Sequence, residues 1–167
     1  MSNGQADFDF FIGYWRVRNR RLRERLKGSL VWDEFPGEVA VRPVMDGSGN
    51  VNEFVAHAPS GTITGLALRL FNPRSGEWSI YWTTVGSGTL DFPPMVGSFR
   101  DGRGEFYNQE SFEGRSIFVR FVWSEIAANS CRWEQAFSAD GGRSWEPNWI
   151  MEFTRTDETA SAAPALR

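Results

Sequence analysis

The sequence predicts an all-β chain folded as a single antiparallel, up-and-down β-barrel. Three observations carry that expectation. Nearly every segment alternates apolar and polar residues with period two, and short clusters of Gly, Pro, Asn, Asp and Ser separate the segments. No stretch shows the 3.6-residue apolar periodicity of a long amphipathic helix. A meander of about nine to eleven such strands has two exposed edges, and closing it into a barrel removes them.

The elements follow in order along the chain. Residues 1–6 are small and polar and read as a flexible N-terminus. Asp7-Phe8-Asp9-Phe10-Phe11 reads as an apolar plug on one helical turn, with an Asp placed to cap it. In Gly13-Tyr14-Trp15-Arg16-Val17-Arg18, Trp15 and Val17 share one face and the arginines the other. At Arg20-Arg21 the alternation breaks, and Leu22 and Leu26 change parity. Either a β-bulge restores the register or a short helix sets the two leucines one turn apart, and Gly28 ends the element. Further strands are expected at Leu30–Phe35, Val39–Val44, Val51–Ala58, Thr62–Phe71 and Trp78–Thr84. After them come Val96–Phe99, Glu105–Phe112, Ile117–Ser124, Cys131–Ser138 and Asn148–Thr154. The separators are turn formers: Pro36-Gly37, Asp46 to Asn50, Pro59-Ser60-Gly61, Asn72 to Gly76, Asp101 to Gly104, Glu113-Gly114 and Asp140-Gly141-Gly142. The barrel is therefore expected over residues 7–155. Residues 156–167, rich in Ala, Ser and Thr, read as a flexible C-terminal tail.

Composition narrows the function classes. The 167 residues suit one domain, large enough to fold around its own core. A lone cysteine, Cys131, excludes an internal disulfide framework and a cysteine-based zinc site. The formal charge of -3 gives no global attraction for nucleic acid or anionic lipid. No apolar run approaches the roughly 20 residues of a helical membrane span. Met1 to Ala6 has neither the basic nor the apolar region of a secretion signal, so a cytoplasmic protein is expected. Aromatic residues make up 15% of the chain, including eight Trp and fourteen Phe, and suit a large apolar interior.

Gly13-Tyr14-Trp15, behind its short aromatic turn, resembles the Gly-x-Trp signature of lipocalins and their calycin relatives. In those barrels an Arg or Lys of the last strand stacks over that Trp, and Arg155 stands at the matching place. More narrowly, the chain resembles a bacterial family of uncharacterised calycin-like domains. Phe8 to Leu26, Leu68 to Trp82, and Trp133 to Arg155 with its Ser-x-Asp-Gly-Gly-x-x-Trp hairpin carry the likeness. The resemblance implies the barrel and no settled activity.

Few motifs carry chemistry. Ser138 to Trp145 resembles the Asp-box hairpin of sialidase propellers, but a single copy reads as a structural turn. The basic run from Arg16 to Lys27 is read as a solvated outer face, paired with carboxylates such as Glu134, Glu152 and Glu110. His57 is the only histidine, which excludes metal sites built from several, so no metal and no cofactor is expected. Counting back from the Asp140 hairpin sets Glu134 near Glu152 on adjacent strands, where two acids can share a proton. The alternate face there holds Trp133, Phe137, Trp149, Met151, Phe153 and Arg155 and reads as core, so the glutamates are expected outside. Gln135 falls on that core face and needs a partner, whether protein, water or ligand.

The expected function is binding of a small, largely apolar or aromatic molecule in the barrel interior. Trp82, Trp133, Gln135, Met151 and Tyr107 are the candidate contacts, with Glu53 and His57 near one mouth. The loop Gly86 to Met95, with Leu90, Phe92, Pro93 and Pro94, is the candidate lid. Two alternatives stand beside it: a cofactor-independent enzyme of cyclase or isomerase type using barrel carboxylates and Arg, and an interaction module with a filled barrel. Apolar residues on both faces of Ile117–Ser124 and Thr62–Phe71 point to a homodimer through the outer face of the sheet.

Overall fold

The computed structural model describes residues 4–157. Ten antiparallel strands close into one barrel: β1 (Gly13–Leu22), β2 (Trp32–Val44), β3 (Gly49–Ala58), β4 (Gly61–Asn72), β5 (Glu77–Thr84), β6 (Met95–Arg100), β7 (Arg103–Phe112), β8 (Arg115–Ser124), β9 (Ser130–Ser138) and β10 (Glu146–Thr156). Each pairs with its sequence neighbours, and β1 closes the ring against β10 through Tyr14↔Thr156 to Arg21↔Trp149. Among the described residues, helix is confined to two 3-10 turns, Asp9–Phe11 and Met45–Gly47. The expected flexible ends fall largely on residues 1–3 and 158–167, outside the described residues.

Three local expectations are corrected. Pro36-Gly37 is not a turn; it lies inside the single long strand β2. Pairing with β3 begins only at Gly37, so Pro36, which has no N–H, removes no ladder bond on that side. Gly37 is needed where it stands, because a Cβ there would meet the Asn19 amide and the Val55 carbonyl at 3.0 Å. The parity break after Arg20 is neither a bulge nor a helix: β1 runs in unbroken register to Leu22, and a turn with Leu26 at φ 57° follows. The register shift falls instead in β10, between Pro147 and Trp149. Finally, the Asp9–Phe11 turn has Phe8 at its N-cap and no side-chain cap.

The N-terminal plug shuts one end of the barrel. Phe8 and Phe11 are buried, and Phe8 meets Trp78, Phe99 and Trp123 edge-on with ring centroids 4.9–5.7 Å apart. Gly4 contributes as well, its carbonyl accepting from Trp78 Nε1 at 2.9 Å. Trp15 is buried beneath and donates its indole N–H to the Phe11 carbonyl at 2.8 Å. The Arg155 guanidinium lies 4.2 Å over the Trp15 ring and donates to the carbonyls of Ile12, Phe10 and Ala128 at 2.6–2.9 Å. Gly13 sits at φ 124° with Arg155 Nη1 2.6 Å from where a Cβ would stand, so this place excludes any side chain. The Gly-x-Trp pattern is thus the sequence trace of one closed rim.

Outside, the basic run behaves as expected in part. Arg18 bridges Glu34 and Glu152, and Arg23 pairs with Asp33. Glu134 pairs with its own strand neighbour Arg132 at 2.8 Å, while Arg21 and Arg25 stack on Trp149 and Phe112. The exposed Arg18 pairs add little stability.

Candidate functional site

A cavity of about 160 Å³ lies inside the barrel, between the plug and the opposite, open end. Inward side chains of nine strands, β2 to β10, line it together with Phe11 of the plug and the loop before β6. Its walls are aromatic: Trp82 packs edge-on against Phe54, Phe54 against Trp149, Trp149 against Trp133, and Trp133 against Phe121, with centroids 4.8–6.1 Å apart. Small inward residues make the room. Ala67 lies opposite Trp82, and the Trp82 ring is laid against Gly65, where a Cβ would overlap it. An apolar cavity of about 150 Å³ admits a benzene-sized guest.

Six polar residues interrupt the apolar wall: Asn52, Arg69, Asp91, Asn108, Glu110 and Gln135. Gln135 donates to the fully buried Asn148 at 2.8 Å, and Trp149 Nε1 donates to Asn19 at 3.0 Å. The Nδ2 groups of Asn19 and Asn148 are buried without a partner. Arg69 is 5% exposed and donates through Nη1 to Asn50 Oδ1 and Asn52 Oδ1 at 2.9 and 2.6 Å. Burial pushes its guanidinium down to about 9, so it remains a cation at neutral pH. Near the open end, burial raises the Glu110 carboxyl above its ordinary value, the Asn108 amide lowers it and nearby Asp91 raises it. Cys131 is also buried, its thiol pushed up to about 12, which leaves it neutral and unreactive.

The loop Gly86 to Met95 lies at this open end. The Asp91 N–H donates to the Trp82 carbonyl at 2.7 Å, and Asn108 Nδ2 to the Pro93 carbonyl at 3.1 Å. Asp91 and Pro93 therefore line the cavity, while Leu90 and Phe92 are exposed rather than covering it.

No family model and no curated protein matches the chain. Among solved structures it is similar to the S-type phycobiliprotein lyase of Guillardia theta, with a TM-score of 0.62 and 8% identity over 90% of this chain and 91% of that one. A de novo designed fluorescence-activating β-barrel matches at a TM-score of 0.47 and 14% identity, over 91% and 98%. The fold is that of a lipocalin-like, calycin-type barrel.

This calycin-type barrel brings four of the seven expected site residues together. Trp82, Trp133, Gln135 and Met151 all line the cavity. Tyr107, Glu53 and His57 do not. Tyr107 is on the outer face, its hydroxyl donating to Glu105 at 2.8 Å and its ring against Trp145; Phe106 and Asn108 face inward instead. On β3 the inward set is Asn50, Asn52, Phe54 and Ala56, which leaves Glu53 and His57 outside, His57 beside Thr62 at 3.4 Å. Both errors are slips of one residue, and a slip of one reverses every side chain. In β3 the inward face takes Phe54 and leaves Glu53 and His57 in solvent; in β7 it takes the wholly apolar ring of Phe106 and leaves the Tyr107 hydroxyl outside on Glu105. Phe54, Phe121, Asn52, Asn108, Glu110 and Arg69 are among the cavity residues that sequence reasoning missed, and Trp149 was placed on the core face without being assigned to the site. Arg69 had a signal, since it shares parity with Ala67 and Phe71 against Leu66, Leu68 and Leu70.

Proposed function

We propose that the barrel binds a small, largely apolar or aromatic molecule in its interior, with Trp82, Trp133, Met151 and Gln135 among its contacts. The aromatic-walled cavity of about 160 Å³ carries this reading, because a barrel built only for structure would be filled by its own side chains. Of the carboxylates that could serve the enzyme alternative, Glu134 and Glu152 face outward and pair with Arg132 and Arg18, while Asp91 and Glu110 line the cavity. His57, exposed on the outer face, is out of reach of anything held inside, so haem or metal ligation by it forms no part of the proposal.

The wider reading is a member of the bacterial calycin-like family, cytoplasmic, acting on neither nucleic acid nor membrane. The family reading rests on the resemblance carried by Gly13-Tyr14-Trp15, Arg155 and the Asp140 hairpin; the reading of its partners rests on the net charge of -3 and on a basic run whose charges are largely paired or stacked. Native mass spectrometry of the protein as purified tests the ligand. A mass above the 19.0 kDa chain, lost on denaturation, is expected. A bare chain that also gains no mass from a panel of small aromatics contradicts it.

A further inference from the structure

Arg69 is the only cation among the residues lining the cavity, and it is enclosed. Its guanidinium stacks over Phe8, Phe11 and Trp123, 5.1–5.8 Å from their ring centroids, at the plug end. Both of its hydrogen bonds leave from Nη1, to two neutral amides; Nε is buried with no partner. No carboxylate among the described residues forms an ion pair or hydrogen bond with it; its hydrogen-bond partners are Asn50 and Asn52. A buried charge is ordinarily paired with an opposite one. Here Asn50 and Asn52 hold the side chain in place without neutralising it, and the Nε–Nη2 edge is the side of a guanidinium that meets a carboxylate with two parallel bonds.

We propose that the cavity takes an organic acid, its carboxylate bound by Arg69 at the inner end and its apolar or aromatic body held by the tryptophans. This deepens the small-molecule reading and rests on it. The two ends of the cavity then differ in sign. Arg69 draws the acid inward, while Asp91 and Glu110 at the open end disfavour the reverse orientation.

Phenylacetate and phenylacetamide, alike in shape and different in charge, make the test. Titrated into the protein and followed by NMR, the acid should bind about ten-fold or more tightly than the amide. In Arg69→Met the ratio should fall to about one, and Arg69→Lys should restore part of it. Should Arg69→Met fail to fold, the Arg69 Nε–H resonance of the unaltered protein serves instead: it should shift on adding the acid and not the amide. If the amide binds as well as the acid, or that resonance ignores the acid, the anion assignment is wrong while the cavity still binds. If neither compound enters the cavity, the binding reading fails with it.

Discussion

Trp15 and Arg155 show how much one contact does at the scale of a residue. The indole fills the space under the plug, and the guanidinium ties three loop carbonyls across it. Trp15→Ala should cost roughly 3–5 kcal/mol through lost burial and the cavity left behind. Arg155→Ala should cost less, since the Trp remains covered by Phe11 and Phe153. Urea unfolding measures both, and equal losses would show that the cation rather than the buried ring holds this rim. This contact was legible in the sequence because Gly13, Trp15 and Arg155 form a pattern with one mechanical solution. Arg69 was harder to read, because an arginine between apolar residues reads as outward until a neighbouring strand supplies Asn50 and Asn52 to receive it.

Among the elements, strand existence was legible and strand facing was only partly so. Turn chemistry at Asp101 to Gly104, Glu113-Gly114 and Asp140 to Gly142 marks the hairpins, and those strands lie where alternation put them. Facing failed in β3 and β7, where both parities carry apolar side chains: Val51 and Val55 against Phe54 and Ala56, Tyr107 against Phe106. Only the partner strands decide between such faces. The Asp140 hairpin makes its own prediction. Asp140 accepts from the N–H groups of Arg143 and Ser144 and from the hydroxyls of Ser138 and Ser144, which holds its carboxyl far below its ordinary value of 3.8. A depressed carboxyl stabilises the fold above that ordinary value and loses its contribution as the pH falls below it. Asp140→Ala should therefore lower Tm at pH 7 and lower it by clearly less near pH 2. A Tm loss of the same size at both pH values would assign the effect to something other than the ionised carboxylate.

Taken as a whole, the molecule joins a closed end, an aromatic cavity and an outer surface that is only partly polar. The outer side of β8 is covered in part by the Asp140 hairpin, with Trp145 over Arg120 at 4.6 Å, and Phe118 stays 38% exposed. The loop Gly86 to Met95 contacts the cavity mouth instead. Leu66, Leu68 and Leu70 remain half-buried along the outside of β4, so the homodimer proposal keeps its motive there. Light scattering at micromolar concentration checks it: twice 19.0 kDa is expected, with Leu68→Arg on β4 returning a folded monomer, and a monomer of the unaltered chain rejects it.

The central claim, an interior that accepts a small aromatic guest, can be read from the protein's own tryptophans. Trp82, Trp123, Trp133 and Trp149 line the cavity, whereas Trp32 and Trp145 do not. In protein labelled with ¹⁵N, adding unlabelled indole should shift the side-chain N–H signals of the lining set and leave Trp32 and Trp145 in place. Shifts at Trp32 or Trp145 alone, or no shift at millimolar indole, would contradict the account.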